Sequence, residues 1–256
     1  MAENEFTISS DAVRLIREQG YEPRRTMDGK IAEWRALYTG TDPFFEVPYV
    51  NASGARRKRR RNSLKPARRV CRELASLILT DDTEVSVEKP LANEWLGGLL
   101  ARSNFWPTGQ RVVESCAALG TAAWALSFDV RDDEVRRILM PRYDARMVLP
   151  LTFDSQGVYE CAFVTRVTDA GKDAEQVQLM TMDVETGTYH VRTWLLRDGK
   201  PLDPESCGII ADFDTRSRFK PFGIFTTGNE NVHDDLSPFG ASIFADAEDE
   251  IKAVDI

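Results

Sequence analysis

The amino-acid sequence predicts an α+β fold in which helices come first, an antiparallel β-meander follows and a last helix leads out of the domain. In the first 120 residues apolar side chains recur at steps of three and four, which is the period of an α-helix. From Ala122 onward the period changes to two, the spacing of a β-strand. Helices and strands do not alternate along the chain, which argues against a parallel sheet.

Five helices are predicted in the first half of the chain. Gly20 and Gly40 end the first two, since glycine accepts the left-handed conformation that often closes a helix. Asn104-Phe105-Trp106-Pro107 separates the last two. The predicted spans are 11–19, 27–38, 65–79, 90–102 and 108–118. Between the second and third helices, residues 41–50 suit an extended arm.

The second half is predicted to form strands joined by turns. Turn residues lie at 169–172 and 185–187, between the three longest apolar runs, which predicts a meander. Gly120 marks a close approach of two segments or the turn into the first strand. The predicted strands are 123–129, 135–140, 146–150, 158–167, 176–184, 189–196 and 219–227.

The C-terminal segment predicts a helix that begins at Ser237 and Pro238. A capping hydroxyl followed by proline is a helix-start signal. One face is then apolar, and it includes an expected oligomer or stem face of Ile243, Ala247, Ile251 and Val254. Two interpretations stay open: a terminal helix that frays, or the opening of a longer helix in a larger protein.

Composition indicates a globular protein with one substantial core, or with one core and a smaller satellite. The chain has 256 residues, 42% of them hydrophobic, without a long apolar run. The N-terminus has neither a basic nor an apolar stretch, so we expect no signal peptide and no membrane span. Four cysteines (Cys71, Cys116, Cys161 and Cys207) are widely spaced beside only two histidines, which predicts reduced, mostly buried thiols rather than a zinc site.

Charge is distributed unevenly along the chain. Residues 1–72 carry 16 Lys/Arg against nine Asp/Glu, and residues 73–256 carry 17 against 32. The strongest run is ARRKRRRN at residues 55–62, and we expect its six cations to be largely exposed: Arg56, Arg57, Lys58, Arg59, Arg60 and Arg61. One interpretation is contact with phosphates. The other is a solvated, mobile loop between two helices, favoured because no aromatic residue is interleaved for base stacking.

The sequence motifs of catalysis are missing, so we expect no enzyme activity and no cofactor. Gly97-Gly98 lies inside a helical pattern, and neither HExxH nor GxSxG spacing occurs. Cys161 and His190 face each other across the meander in one arrangement, and packing is the favoured role for such a pair. The acidic pairs Asp132-Asp133 and Asp234-Asp235 are interpreted as capping and solubilising residues.

The order of several motifs resembles the portal proteins of long-tailed bacteriophages, the siphophage portal and minor capsid family. The N-terminal motifs are Trp34-x-x-x-Tyr38-x-Gly40, the arginine-rich run, Ser63-Leu64-Lys65 and a helix closing on Asp81. Those that follow are Asn104-Phe105, the sequence ALGTAA at residues 118–123, Pro150, and a turn at Gly157 before YECAFV. The last are Asn229 and Asn231, DLSPFGASI at residues 235–243, and a helix reaching Asp255.

The resemblance implies a structural subunit of a ring, usually of twelve copies, at one capsid vertex. Such a ring is the channel for DNA packaging and ejection. The implied partners are other copies of the chain, the terminase large subunit, the major capsid and scaffolding proteins, the head–tail connector and double-stranded DNA in transit. The implied locations are the virion and, during assembly, the host cytoplasm.

The resemblance also divides the chain into four parts and marks it as an N-terminal half. These are residues 1–54 (helices and arm), 55–121 (basic loop and helical wing), 122–228 (β-rich wing) and 229–256 (start of a stem-leading helix). Without the rest of the stem, we expect a monomer or a weak, concentration-dependent oligomer. A nucleic-acid-binding capsid-assembly adaptor working through Arg56–Arg61 is the alternative, and a hydrolase with an unrecognised site is the third.

Overall fold

Helices lead along the chain and an antiparallel meander follows, which confirms the predicted α+β fold. The computed structural model describes residues 6–80, 82–131, 134–169, 171–207 and 209–254. Five residues used in the sequence interpretation lie outside that part of the chain: Asp81, Asp132, Asp133, Ala170 and Asp255.

Five helices lie where the hydrophobic period predicts them. Ser9 caps the first, its Oγ accepting a hydrogen bond from the Ala12 N–H at 3.1 Å. The fifth begins at Phe105, earlier than expected, because Pro107 is tolerated in the first turn of a helix. They are α1 (Ser10–Glu18), α2 (Asp28–Thr39), α3 (Pro66–Ile78), α4 (Pro90–Arg102) and α5 (Phe105–Leu119).

The basic run is a strand, so its prediction as a loop is wrong. Strand β1 (Glu46–Val50) comes from the predicted extended arm and pairs antiparallel with β2 (Arg56–Arg60). Asn51 closes the turn between them, its Oδ1 accepting from the N–H groups of Ser53 at 3.1 Å and Ala55 at 2.8 Å. These side-chain hydrogen bonds and Gly54 at φ +80° fix the chain reversal that brings the strands together.

The other strands form one large sheet, one small sheet and a hairpin, all antiparallel. The meander runs β7 to β11 in spatial sequence, and β12 also pairs with β10. The small sheet has the order β13-β3-β6, and β4 pairs with β5. In chain order the strands are β3 (Thr121–Ala125), β4 (Ser127–Arg131), β5 (Glu134–Leu139), β6 (Arg142–Asp144), β7 (Val148–Asp154), β8 (Gly157–Asp169), β9 (Lys172–Met182), β10 (Tyr189–Arg197), β11 (Lys200–Leu202), β12 (Asp212–Asp214) and β13 (Phe222–Thr226).

The large sheet is covered on both faces, which explains the unbroken apolar run at 161–164. Cys161 and Phe163 on β8 point into a core shared with α2, α3 and α5. Ala162 and Val164 point the other way and pack with α1. Alternation along a strand therefore gives each residue a buried environment on its own side.

The helix predicted from Ser237 is wrong over its first eight residues, 237–244. Instead of an i→i−4 ladder, the Gly240 N–H donates to Thr121 Oγ1 at 3.1 Å and the Ile243 N–H donates to the Ala117 carbonyl at 3.0 Å. Phe239 and Phe244 are buried in the core on either side of these bonds. Helical structure begins only with a 3₁₀ turn at Ala245–Ala247 and α6 (Glu248–Val254). Tertiary hydrogen bonds and aromatic burial override the local signal here.

Gly120 lies where the backbone of this C-terminal segment crosses the turn from α5 to β3, as its sequence position predicts. Its φ is +78°, and a Cβ atom would stand 2.1 Å from the Gly240 carbonyl oxygen. No side chain fits at that distance, so glycine is required for space as well as for conformation.

We expect Gly120→Ala to lower the free energy of unfolding by about 3 kcal/mol or more, because backbone must move to admit the new methyl group. Gly187→Ala is the matched control: Gly187 also has positive φ (+66°) but no atom within 4 Å of the new Cβ. It should cost about 1 kcal/mol, the strain of the left-handed conformation alone. Urea unfolding of both variants measures the difference. Equal losses would contradict the close crossing.

The four cysteines, all in the described part of the chain, form no disulfide, and three of them are buried as predicted: Cys71, Cys116 and Cys161. Burial raises the pKa of Cys116 to about 11 and that of Cys71 to about 12, because the thiolate is poorly solvated in the core. The pKa of Cys161, fully enclosed in the sheet, is also raised.

These shifts predict a loss of stability in alkali. Each folded thiol keeps its proton above the unfolded pKa of about 8.5, so unfolding releases protons and stability falls as pH rises from there. We expect a slope of about 1.4 kcal/mol per pH unit for each thiol while pH stays below its folded pKa. Urea unfolding at a series of pH values should show a shallower slope for Cys116→Ala. Cys207→Ala, outside the core, is the control, and an equal slope in wild type and Cys116→Ala would contradict the prediction.

Candidate functional site

The structure does not bring together the Cys161–His190 pair. Cys161 faces the core shared with Tyr189 and Val191, so His190, between those two residues, lies on the opposite face of the sheet. The His190 ring instead lies beside β12, with Nδ1 3.4 Å from Asp212 and Nε2 3.8 Å from Asp214. Within the described ranges no group of three or more His, Cys, Asp or Glu residues is arranged to hold a metal ion.

The acidic residue Asp234 has a structural partner rather than a purely solubilising role. Its carboxylate accepts hydrogen bonds from the Thr26 hydroxyl and from Arg24 Nη2, at 3.0 Å to each oxygen. The Thr26 hydrogen bond, followed by Arg24, lowers the pKa of Asp234. Asp234 therefore joins the segment before α2 to the segment before α6.

The two-stranded unit of β1, β2 and their turn, here called the basic ribbon, presents the cations of residues 56–60 to solvent. Every residue of β2 is exposed, as expected, and Arg61 is half-buried. Alternation places Arg57 and Arg59 on one face and Arg56, Lys58 and Arg60 on the other. The side chains of a two-stranded ribbon can enter the DNA major groove or lie along its phosphates.

Three of the six cations are fixed by contacts at the base of the ribbon. Lys58 Nζ lies 2.6 Å from Glu46 Oε2, and this hydrogen bond lowers the pKa of the Glu46 carboxyl. Arg60 Nη2 donates to the Gly40 carbonyl at the end of α2. The Arg61 guanidinium lies 4.6 Å from the centroid of the Phe44 ring.

The remaining three cations, Arg56, Arg57 and Arg59, have no hydrogen-bond or carboxylate partner among the residues the structure describes. They are therefore the members of the run available to an anionic partner. Their guanidinium groups retain their hydration, so a phosphate or carboxylate would be bound by exchange with water and salt ions.

Sequence reasoning missed Tyr49. This residue lies directly opposite Arg57 on the neighbouring strand and is 41% exposed. The pairing places an aromatic ring beside the cations, although none is interleaved within the run itself. The turn Asn51-Ala-Ser-Gly54 between two extended segments is the signal that predicts this pairing.

The residues of the expected stem face do not form one stripe. Ile251 is buried against the core, Ile243 and Ala247 are half-buried, and Val254 is 60% exposed. The prediction of a single apolar face is wrong because residues 237–244 are not helical. Only Val254 is open to solvent, at the C-terminal end of α6.

A larger apolar surface lies on α3, where sequence reasoning expected only a core face. The side chains turned inward are small: Ala67, Cys71 and Ala75. Larger ones are exposed at Val70, Leu77 and Ile78, here called the apolar stripe, and Leu77 is 75% exposed. Val70 and Leu77 are seven residues apart and share an outer face, whereas Ile78 lies on the side of Cys71 and is exposed at the C-terminal end of α3. Exposed aliphatic side chains grouped in this way are typical of an interaction surface.

The stripe continues into a groove of about 450 Å³ between α3, α5 and β13. Its lining is almost entirely apolar and includes Leu74, Ile78, Phe105, Val113, Trp124 and Phe225. Trp124 stacks on Phe105 with ring centroids 4.8 Å apart, and Phe225 meets Trp124 edge-on at 5.6 Å. The aromatic walls are thus held by one another and leave the groove open.

The segment at residues 82–102 carries a second exposed apolar face. It is here called the arm and is distinct from the extended segment predicted at residues 41–50. It consists of an irregular stretch and α4, of which only Leu100 is buried. Leu91 is 81% exposed and Trp95 is 55% exposed. Val85 and Val87 in the stretch before α4 are exposed as well.

No described helix has both the length and the apolar content needed to cross a lipid bilayer. A scan against protein-family models finds no match, and a search of curated proteins finds none either. The basic ribbon, the apolar stripe, the groove and the arm are the candidate functional surfaces of the described chain.

Proposed function

We propose that this chain is a non-enzymatic structural subunit of a phage portal-type ring, which assembles from copies of itself and conducts DNA. The observation that carries the proposal is the exposed apolar surface of α3 and the arm. Such residues gain free energy when a partner removes them from water, about 25 cal/mol for each Å² covered. A subunit built to assemble has this kind of surface.

The order of motifs along the chain supports the same class. Two of the motif residues connect helices. Trp34 Nε1 donates to Glu248 Oε1 at 2.9 Å, and the Tyr38 hydroxyl donates to Glu114. Burial and the Glu114 carboxylate both raise the pKa of Tyr38, so this hydroxyl keeps its proton and remains a donor. The motif residues thus join α2 to α5 and to α6.

The charge balance is consistent with a channel through which DNA moves. Residues 73–256 carry 32 acidic against 17 basic side chains. Each lysine or arginine that neutralises a phosphate adds affinity and salt dependence, so a predominantly acidic wall leaves DNA weakly held.

A second candidate function, a nucleic-acid-binding adaptor in capsid assembly, is favoured by one observation. Arg56, Arg57 and Arg59 project from the ribbon without partners among the described residues, and Tyr49 lies beside them. Clustered guanidinium groups with an adjacent aromatic ring are suited to phosphates and unstacked bases.

The ring proposal predicts weak self-association of the 256-residue chain. Head-to-tail contacts do not close at two copies, so the average mass should rise past that of a dimer as concentration increases. We expect a Kd of about 10 µM or weaker, because one apolar face supplies each contact. Light scattering and sedimentation at several concentrations measure this. A mass that stops at the dimer would contradict the ring, and a monomer at every concentration would contradict the self-association predicted here.

The adaptor function predicts that the ribbon carries DNA binding. The triple variant Arg56→Gln, Arg57→Gln, Arg59→Gln should reduce the slope of log affinity against log salt by about 3, since three phosphate contacts are lost. The matched control is Arg142→Gln, Arg166→Gln, Arg218→Gln, which removes the same charge from exposed positions in the β-rich half. Fluorescence anisotropy with a labelled duplex measures both. Equal losses in the two triples, or no binding by wild type, would exclude the adaptor.

A further inference from the structure

We propose that one face of the basic ribbon, formed by Val47, Tyr49, Arg57 and Arg59, binds single-stranded nucleic acid, with an unpaired base on the Tyr49 ring and phosphates on the two guanidinium groups. These four residues are here called the stacking face. The inference rests on the nucleic-acid binding proposed for the ribbon as the second candidate function. It names the face that binds and the form of the nucleic acid.

The register of the ribbon decides which side chains share a face. The members of the stacking face are two directly opposite pairs in the register of β1 and β2, so their side chains point to the same side. Lys58 Nζ contacts Glu46 Oε2 at 2.6 Å diagonally across the strands on the other side, which agrees with this assignment. The stacking face thus has two guanidinium groups and no acidic residue, whereas the opposite face contains Glu46.

The stacking face places a free aromatic ring among free cations. Arg57 and Arg59 are exposed, have no hydrogen-bond or carboxylate partner among the described residues, and lie roughly 7 Å apart along one strand. Tyr49 is 41% exposed and lies directly across from Arg57. A base that covers the Tyr49 ring therefore has a guanidinium group beside it, and the second guanidinium group is within reach of a neighbouring phosphate.

The exposed ring favours an unpaired strand over a duplex. The bases of a duplex stack on one another, so a tyrosine outside the duplex meets no free base face and only the guanidinium groups contribute to binding. The bases of a single strand are accessible and stack on aromatic rings and on arginine side chains. Five of the six cations in the run are arginines, whose planar guanidinium groups bind phosphate through two hydrogen bonds.

The tip of the ribbon argues against a lipid surface as the anionic partner. Binding at a membrane interface increases with the apolar area that enters it. Residues 51–54 have the sequence Asn-Ala-Ser-Gly, without a large apolar side chain, and Asn51 Oδ1 is bonded within the turn. Beyond Val50, which is 63% exposed beside the turn, the tip therefore supplies little apolar area.

The first test replaces the aromatic ring. Tyr49→Ala should weaken binding of a labelled oligothymidine of about 12 nucleotides by about 10-fold, because one stacked base is lost. Tyr49→Phe keeps the ring and should bind as wild type does. The matched control is Tyr159→Ala, since Tyr159 is 38% exposed but lies on the meander and donates to Asp154. Fluorescence anisotropy measures all four proteins. Equal losses for Tyr49→Ala and Tyr159→Ala would overturn the inference.

The second test compares the two faces of the ribbon at equal charge. Arg57→Gln, Arg59→Gln should reduce the slope of log affinity against log salt for the oligothymidine by about 1.4, since each phosphate contact on a single strand contributes about 0.7. Arg56→Gln, Lys58→Gln removes the same charge from the opposite face and should change the slope much less. Circular dichroism and thermal unfolding report whether each variant folds. Equal changes in slope for the two pairs would contradict the assignment of the face.

The choice of ligand separates this inference from duplex binding. We expect wild type to bind the oligothymidine more tightly than a duplex of equal length. An oligouridine of the same length distinguishes RNA from DNA, and Tyr49-dependent binding of either supports the inference. If the arginine variants weaken duplex binding but Tyr49→Ala leaves single-strand binding unchanged, the inference is wrong and the adaptor remains.

Two further outcomes are decisive. If single-strand binding depends on Tyr49 while wild type does not bind the duplex, the inference is correct and the duplex-binding adaptor is excluded. If wild type binds no oligonucleotide, or binds only vesicles of anionic lipid, the inference is overturned.

Discussion

The crossing of two glycines holds the C-terminal segment against the body of the protein. Gly120 and Gly240 approach so closely that a Cβ on either would meet the carbonyl oxygen of the other, at 2.1 and 2.7 Å. Around the crossing, the Thr227 N–H donates to the Gly120 carbonyl at 3.1 Å, and the buried Ser242 hydroxyl donates to the Ala117 carbonyl at 3.3 Å. Buried polar groups therefore find partners here, and the end of α5, strands β3 and β13, and residues 237–244 are fixed in one arrangement. This arrangement also fixes one side of the groove, since Ile243 forms part of its wall.

The helices and the meander are predictable because their causes are local. Apolar periods, the glycines that end α2 and α5, and the turn residues between strands all act over a few positions. The path of residues 237–244 is not local in this sense: the Gly240 N–H is bonded to Thr121, 119 positions away in sequence. The periodicity of that segment identifies its apolar residues. It does not indicate the distant acceptors that turn the backbone away from a helix.

The candidate surfaces also differ in how far the sequence predicts them. Exposure of the basic run follows from the cost of burying adjacent charges, and it is predictable from residue type. Its strand structure is not, because a run of like charges has no apolar alternation, and only the turn at Asn51 indicates pairing. Exposure of the apolar stripe on α3 was not predicted, because large and small apolar residues recur with the same helical period. Only the fold decides that Ala67 and Cys71 face inward and that Leu77 faces solvent.

The anchoring of the ribbon to α2 has a mechanical consequence. Arg60 is bonded to the Gly40 carbonyl at one end of this helix, and Trp34, six residues earlier, is bonded to Glu248 in α6. The two contacts are about 9 Å apart along a single α-helix, which is stiff over that distance. We therefore expect a displacement of the ribbon to be transmitted along α2 to the C-terminal helix, beside the contacts that α2 makes in the core it shares with the large sheet. Through these two contacts, one helix connects the charged end of the molecule to α6.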